Sequence, residues 1–164
     1  MNKMRIERVD LAKEIGAVGD LVRLAFADIA DLLSFTRENS PGFTAFVSDE
    51  KLLAQLDRAE ARCLGIREDG KLVGFVAIAP YEDEYIVTRL AVRPEFRHRG
   101  YGRALMDAAC DAAREMGLSE IGLGLVNENT ALKRWYLAQG FVMYGQPYPA
   151  PGEAYTVCEM VKAL

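Results

Sequence analysis

The chain has 164 residues, 51% of them apolar and 27% charged, with a formal net charge of −4. That length suffices for one domain, residues 1–164, with a sizeable core, and the acidic balance argues against a general nucleic-acid partner. Three widely spaced cysteines (Cys63, Cys110, Cys158) and a lone histidine, His98, suit a reducing compartment and speak against a bound metal.

Taken in order, Met4 to Val9 reads as a short strand and Asp10 as a helix N-cap. Ile15, Val18, Val22, Phe26 and Ile29 recur at helical spacing, but Gly16 and Gly19 weaken the start, so the better helix runs from about Asp20 to Leu33. Ser34 to Ser48 is a loop with the turn signal Asn39-Ser40-Pro41-Gly42. Its Phe35, Phe43 and Phe46 either wall a binding site or seal an edge of the core. A second helix, Asp49 to Ala59, carries Leu52, Leu53 and Leu56 on one stripe.

Arg62–Arg67 and Lys71–Ala79 are strands joined by Asp69-Gly70, a hairpin signal because a type I′ turn needs positive φ twice. The second of them is apolar on both faces, as is Tyr85–Val92, so both belong inside a covered sheet. An alanine-rich helix follows with Leu105, Ala109, Ala112 and Met116 inward, and Gly117 ends it. Glu120–Val126 is the next strand. Its Gly122 and Gly124 share a face, which predicts close approach of something to that backbone. A short helix spans Thr130–Gln139. Strands near Phe141–Tyr144 and Tyr155–Val161 close the chain around a rigid loop, Gln146 to Gly152. The class is α+β: a central mixed sheet of about seven strands with helices on both faces.

The chemistry concentrates where Leu90-Ala91-Val92 stops at Arg93-Pro94 and becomes Arg97-His98-Arg99-Gly100-Tyr101-Gly102-Arg103, feeding directly into the alanine-rich helix. A glycine loop entering a helix leaves N–H groups unpaired at the positive end of the helix dipole. Gly100 and Gly102 let a ligand approach the backbone. Arg97, Arg99 and Arg103 add charge, and a diphosphate suits the place.

Arg97-x-x-Gly100-x-Gly102, after Leu-Ala-Val-Arg-Pro-Glu, resembles the acetyl-CoA motif of the GCN5-related N-acetyltransferases (GNAT). Asn129-x6-Tyr136-x3-Gly140-Phe141 resembles that family's second signature. The likeness covers nearly the whole chain and is weakest over residues 34–60 and 145–155. It implies a GNAT-like, mostly antiparallel sheet and acetyl transfer from acetyl-CoA to a small-molecule or peptide amine, without a metal. It also implies roles: Leu90, Ala91 and Val92, with Arg97, His98, Arg99, Gly100, Tyr101, Gly102 and Arg103, bind the cofactor. Asn129 contacts its pantetheine arm, with less support for Asn127, and Tyr136 protonates the leaving thiolate. Leu132 stands where the family often has alanine.

For the general base Glu84 is preferred, working through waters. It lies about 13 Å of strand behind Thr88, and Ile86, Val87 and Thr88 fill the strand itself. Without a strand carboxylate, a non-catalytic acyl-CoA-binding domain of the same fold stays open as the alternative. A nucleotide cradle is disfavoured because the P-loop lysine pattern is missing. With no signal-peptide core and no apolar run long enough to span a bilayer, the expectation is a cytoplasmic protein without a membrane partner, with room for a homodimer.

Overall fold

The computed structural model describes residues 4–164. The chain runs β1 (Ile6–Arg8), α1 (Leu11–Leu33), α2 (Asp49–Leu56), β2 (Arg62–Glu68), β3 (Lys71–Tyr81), β4 (Glu84–Val92), α3 (Tyr101–Glu115), β5 (Glu120–Val126), α4 (Thr130–Ala138), β6 (Val142–Pro149) and β7 (Thr156–Ala163). The strands form one seven-stranded sheet in the order β1-β2-β3-β4-β5-β7-β6. Every neighbouring pair is antiparallel except β4–β5.

Local chemistry accounts for most boundaries. The Asp10 side chain caps α1 by accepting from the Lys13 N–H, and Ser48 caps α2 through Lys51. Asp69 and Gly70 take φ of 48° and 78°, as the hairpin requires. α3 ends in a Schellman motif: Gly117 N–H bonds to Arg114 O and Leu118 N–H to Ala113 O, with Gly117 at φ 81°.

Several expectations are corrected. α1 begins at Leu11 rather than near Asp20, with its one irregularity at Glu14 (φ −117°, ψ 16°). Gly19 is no weak point: a Cβ there would fall 1.9 Å from an Asp49 oxygen, so the glycine lets α2 sit close. α2 stops at Leu56, three residues early. The inward stripe of α3 includes Met106, Cys110 and Ala113, whereas Ala112 and Met116 are only half-buried. The stretch expected as a rigid loop is partly strand: Tyr148 and Pro149 of β6 pair with Val157 and Thr156 after a register shift that contains Gly145 at φ 70°. β6 is an exposed edge strand, with Val142, Met143, Tyr144 and Tyr148 between 41% and 59% exposed.

Two layers of core flank the sheet. One face packs Val18, Leu21, Val22 and Leu52 of α1 and α2 on Phe75 and Ala77. The other packs Leu105, Met106, Ala109 and Cys110 of α3 on Val76, Ile78 and Ile121. Phe35 and Phe43 are buried, not exposed; they meet each other edge-on, and Phe43 also meets Tyr155 edge-on while Phe35 lies tilted against it, in a third cluster. Leu105 is fully buried, and a Cβ on Gly74 would come within 2.9 Å of its Cδ1. Leu105→Ala should therefore destabilise by about 3 kcal/mol, within the usual range for a large-to-small core change. Chemical denaturation should read this as a lower midpoint at unchanged slope.

Candidate active site

β4 and β5 make a single parallel pairing, Ile86 with Gly122, and then part. The cause is a bulge in β4. Thr88 pairs with Ala77 and Ala91 with Phe75, so Arg89 and Leu90 together face Val76, and Arg89 turns to φ 55°. Beyond the bulge the Arg93 N–H bonds inward to Val73 O at 2.8 Å. Since successive amides of a strand point opposite ways, the N–H groups of Leu90 and Val92 face the gap.

The gap widens into a cavity of about 620 Å³. Leu90, Ala91, Val92, Arg97, Asn129, Tyr136 and Glu84 all line it, together with Ala25 and Ile29 of α1. The structure thus brings together expected residues that lie far apart in sequence. His98, Arg99, Gly100, Tyr101, Gly102 and Arg103 do not line the cavity; they continue from Arg97 into α3.

In that loop the N–H groups from His98 to Arg103 bond to no acceptor among the described residues, while Ala104 N–H returns to Gly100 O. Gly100 caps α3 at φ 83° with no side-chain bond. These amides lie at the positive end of α3, a place suited to an anion. A Cβ on Gly102 would meet only the Trp135 ring, at 3.7 Å, so the fold itself does not require glycine there. The room fits a ligand that lies against the backbone.

Side chains divide differently. Arg97 is committed to α1, donating to Asp28 Oδ2 at 2.6 Å and Ala25 O at 2.9 Å, so it ties the loop across the slot. Arg99 lies over the Phe96 ring, and His98 is exposed at φ 62°. The Tyr101 hydroxyl donates to Glu68 and its ring stacks on Phe96, so only its backbone faces the row of amides. Ala91 is buried toward the α1 side.

Asn129 caps α4, its Oδ1 accepting from Leu132 N–H at 3.2 Å. Its Nδ2 donates to no described residue, and Asn129 lines the cavity. Asn127 instead accepts from Lys133. Tyr136 is 8% exposed, held edge-on between Trp135 and Phe141. Burial pushes its phenol above the ordinary tyrosine value, so it is protonated at neutral pH. The hydroxyl has no described hydrogen-bond partner.

Glu84 is exposed at the start of β4, near the place where a Gly122 Cβ would be. Six residues separate it from Leu90, about 20 Å of strand. Gly122 and Gly124 are not pressed by a neighbouring element, as their spacing suggested. Their missing side chains open the cavity floor, with Val157 Cγ1 at 3.7 Å from a Gly124 Cβ position.

Sequence reasoning missed Arg89, Tyr148, Tyr155 and Glu159, all of which line the cavity. Arg89 donates to Gln55 Oε1 at 2.9 Å, and its buried Nε has no partner. Burial lowers its pKa. No local pattern marks a bulge, so nothing in the sequence singled Arg89 out. The alternation Val157–Glu159–Val161 was a possible signal for Glu159, because it puts a carboxylate on an apolar strand face.

Among the described residues no group of side chains could hold a metal ion, and no helix is long and apolar enough to cross a membrane.

Residues 29–141 match the acetyltransferase (GNAT) family. Streptothricin acetyltransferase of Streptomyces lavendulae is 32% identical over 101 residues, 60% of this chain; the match spans about half (53%) of that relative's length. The ribosomal-protein-S18-alanine N-acetyltransferase of Escherichia coli superimposes with a TM-score of 0.75 at 18% identity, over 98% of this chain and 94% of that one. The PaiA N-acetyltransferase of Thermoplasma acidophilum, solved in complex with coenzyme A, gives 0.72 at 21% identity over 99% of each chain. Both structural likenesses are likenesses of fold.

Proposed function

The chain belongs to the acetyltransferase (GNAT) family, and from that premise we propose that it moves an acetyl group from acetyl-CoA to a primary amine by direct attack in a ternary complex. The observation that carries this reading is the row of unpaired amides from His98 to Arg103, set beside a slot into which Leu90 and Val92 turn their N–H groups.

Bound acetyl-CoA supplies an activated acyl group as a thioester. The amides of His98 to Arg103 would grip its diphosphate, with the charges of Arg99 and Arg103 close by. The N–H groups of Leu90 and Val92 would pair with the pantetheine arm as a further strand would and polarise the acetyl carbonyl. Asn129 Nδ2 would hold the arm from the α4 side. The Tyr136 hydroxyl, kept protonated by burial, would give its proton to the departing sulfur. Arg97 and Asp28 close the slot against α1 and help exclude water.

Of the relatives named above, one is a streptothricin acetyltransferase and one a ribosomal-protein-S18-alanine N-acetyltransferase. For this chain the acceptor is proposed to be a cationic amine. Glu84, Glu120 and Glu159 line the cavity and enter none of the described ion pairs.

Thermal unfolding tests the cofactor half of the reading. At a hundredfold excess over Kd, acetyl-CoA should add about 2.7 kcal/mol and raise Tm by roughly 5–10 °C. No shift at saturation would remove the proposal. Release of free CoA thiol with an amine panel tests the transfer half. A Tm shift without thiol release would favour the non-catalytic acyl-CoA-binding reading, which the absence of a carboxylate at Ile86, Val87 and Thr88 keeps in contention.

A further inference from the structure

An acceptor amine is an ammonium at neutral pH and must lose a proton before it can attack. The Glu84 backbone lies about 20 Å of strand behind Leu90, and its carboxylate, beside Gly122 at the level of Ile86, about 13 Å behind, so direct proton transfer calls for a carboxylate closer to that level. Strand register supplies one. Gly124 of β5 stands opposite Glu159 of β7, and the Ile86–Gly122 pairing puts Thr88 of β4 level with Gly124. Residues directly opposite share a face. Gly124 has no side chain, and the nearest atom to its missing Cβ is Val157 Cγ1 at 3.7 Å. The Glu159 carboxylate therefore looks across an open floor toward the parted edge of β4. It stands two residues, about 7 Å of strand, behind the level of Leu90 and two strand spacings, about 10 Å, across the sheet from β4.

Glu159 is also held. Its Oε1 accepts from the Tyr148 hydroxyl at 2.8 Å, and Oε2 has no described partner. Tyr144 and Tyr148 face it from β6, Gly124 of β5 lies directly opposite it, Glu120 of β5 lines the same cavity, and Tyr81 at the end of β3 and Glu82 in the following turn come near Tyr148. None of these is a cation. Burial, then the hydrogen bond and charge of Glu159, push the Tyr148 phenol up to about 12, so it remains a donor to Oε1 throughout the working range.

We infer that Glu159, oriented by Tyr148, is the general base of the transfer, an inference that rests on the function proposed above. Oε2 takes one proton from the acceptor's ammonium, and the freed nitrogen lone pair forms the N–C bond to the acetyl carbon. The C–S bond breaks, and the sulfur takes the Tyr136 hydroxyl proton. The nitrogen's second proton returns through solvent to the Tyr136 oxygen, and Glu159 releases its own to solvent. Ammonium and thioester thus give amide, thiol and one proton. Glu159 is the catalytic residue and Tyr148 a positioning residue.

The test compares Glu159→Gln, Glu84→Gln and Tyr148→Phe in the full chain. The readouts are thiol release from acetyl-CoA with streptothricin, spermidine and an alanine-initiated peptide, the pH profile of kcat/KM, and the Tm shift with CoA. Glu159→Gln should lower kcat/KM roughly 100-fold at pH 7 and erase the acidic limb, with an unchanged CoA shift. Its tyrosine absorbance titration, taken without cofactor, should show one phenol moving down from about 12. Glu84→Gln should lose less than Glu159→Gln. Tyr148→Phe should lower kcat with KM little changed, because the carboxylate loses the hydroxyl that orients it. A wild-type rate and limb in Glu159→Gln, or a larger loss in Glu84→Gln, would overturn the inference and leave the transferase reading intact. A wild-type protein that releases no thiol with any of the three acceptors would overturn both.

Discussion

Gly102→Asp should abolish binding of acetyl-CoA and leave a protein at least as heat-stable as the parent. Residue 102 is the second residue of α3, in the first turn, where an acidic side chain favours the helix dipole by about 0.3–1 kcal/mol. Aspartate also has the better helix propensity of the two. The space beside it holds only the Trp135 ring at 3.7 Å, so the fold tolerates the added atoms. In the absence of ligand Tm should thus hold or rise by a few degrees. A carboxylate about 4 Å from a phosphate charge, at an effective dielectric near 20, costs about 4 kcal/mol. That corresponds to roughly a thousandfold loss of affinity. Calorimetric titration with CoA beside a melting curve of the free protein reads both effects. A variant that melts normally and binds CoA at wild-type affinity would show that the diphosphate lies elsewhere.

Tyr136→Phe should lower turnover by about 10²–10³-fold, the range of a positioned general acid, while the CoA Kd stays within about threefold. The hydroxyl makes no described hydrogen bond, so its loss removes no structural contact, and the ring keeps its edge-on packing with Trp135 and Phe141. Burial raises the phenol's pKa in the folded state. The folded protein then holds this proton more tightly than the unfolded chain does. The linked stability is fully present below the unfolded value near 10 and is lost as pH climbs through the folded value. Wild-type stability should accordingly fall more steeply above about pH 10 than that of Tyr136→Phe, a difference that melting temperatures across alkaline pH would show. Unchanged turnover in the variant would remove Tyr136 from the proton path.

Much of this architecture was legible along the chain. Asp10, Asp69-Gly70 and Gly117 act through neighbours within about one helical turn, so their cap, turn and stop could be read before any packing was known. The row of unpaired amides was legible for the same reason: glycines ahead of a helix leave amides unpaired whatever lies around them. The start of α1 was not. Gly19 costs helix propensity locally, yet α2 packs against that bare backbone, and tertiary contact outweighed propensity.

By itself, then, the sequence determined the order and type of most strands and helices, the amide row from His98 to Arg103 and the presence of Asn129 and Tyr136, because each depends on short-range chemistry. Only the tertiary structure decided that Arg97 would bind α1, that Arg89 would bulge out of β4, and that Glu159 would face a gap beside Gly124. Those outcomes follow from register and splay between strands distant in sequence, and register is a property of pairs that no single stretch of chain contains.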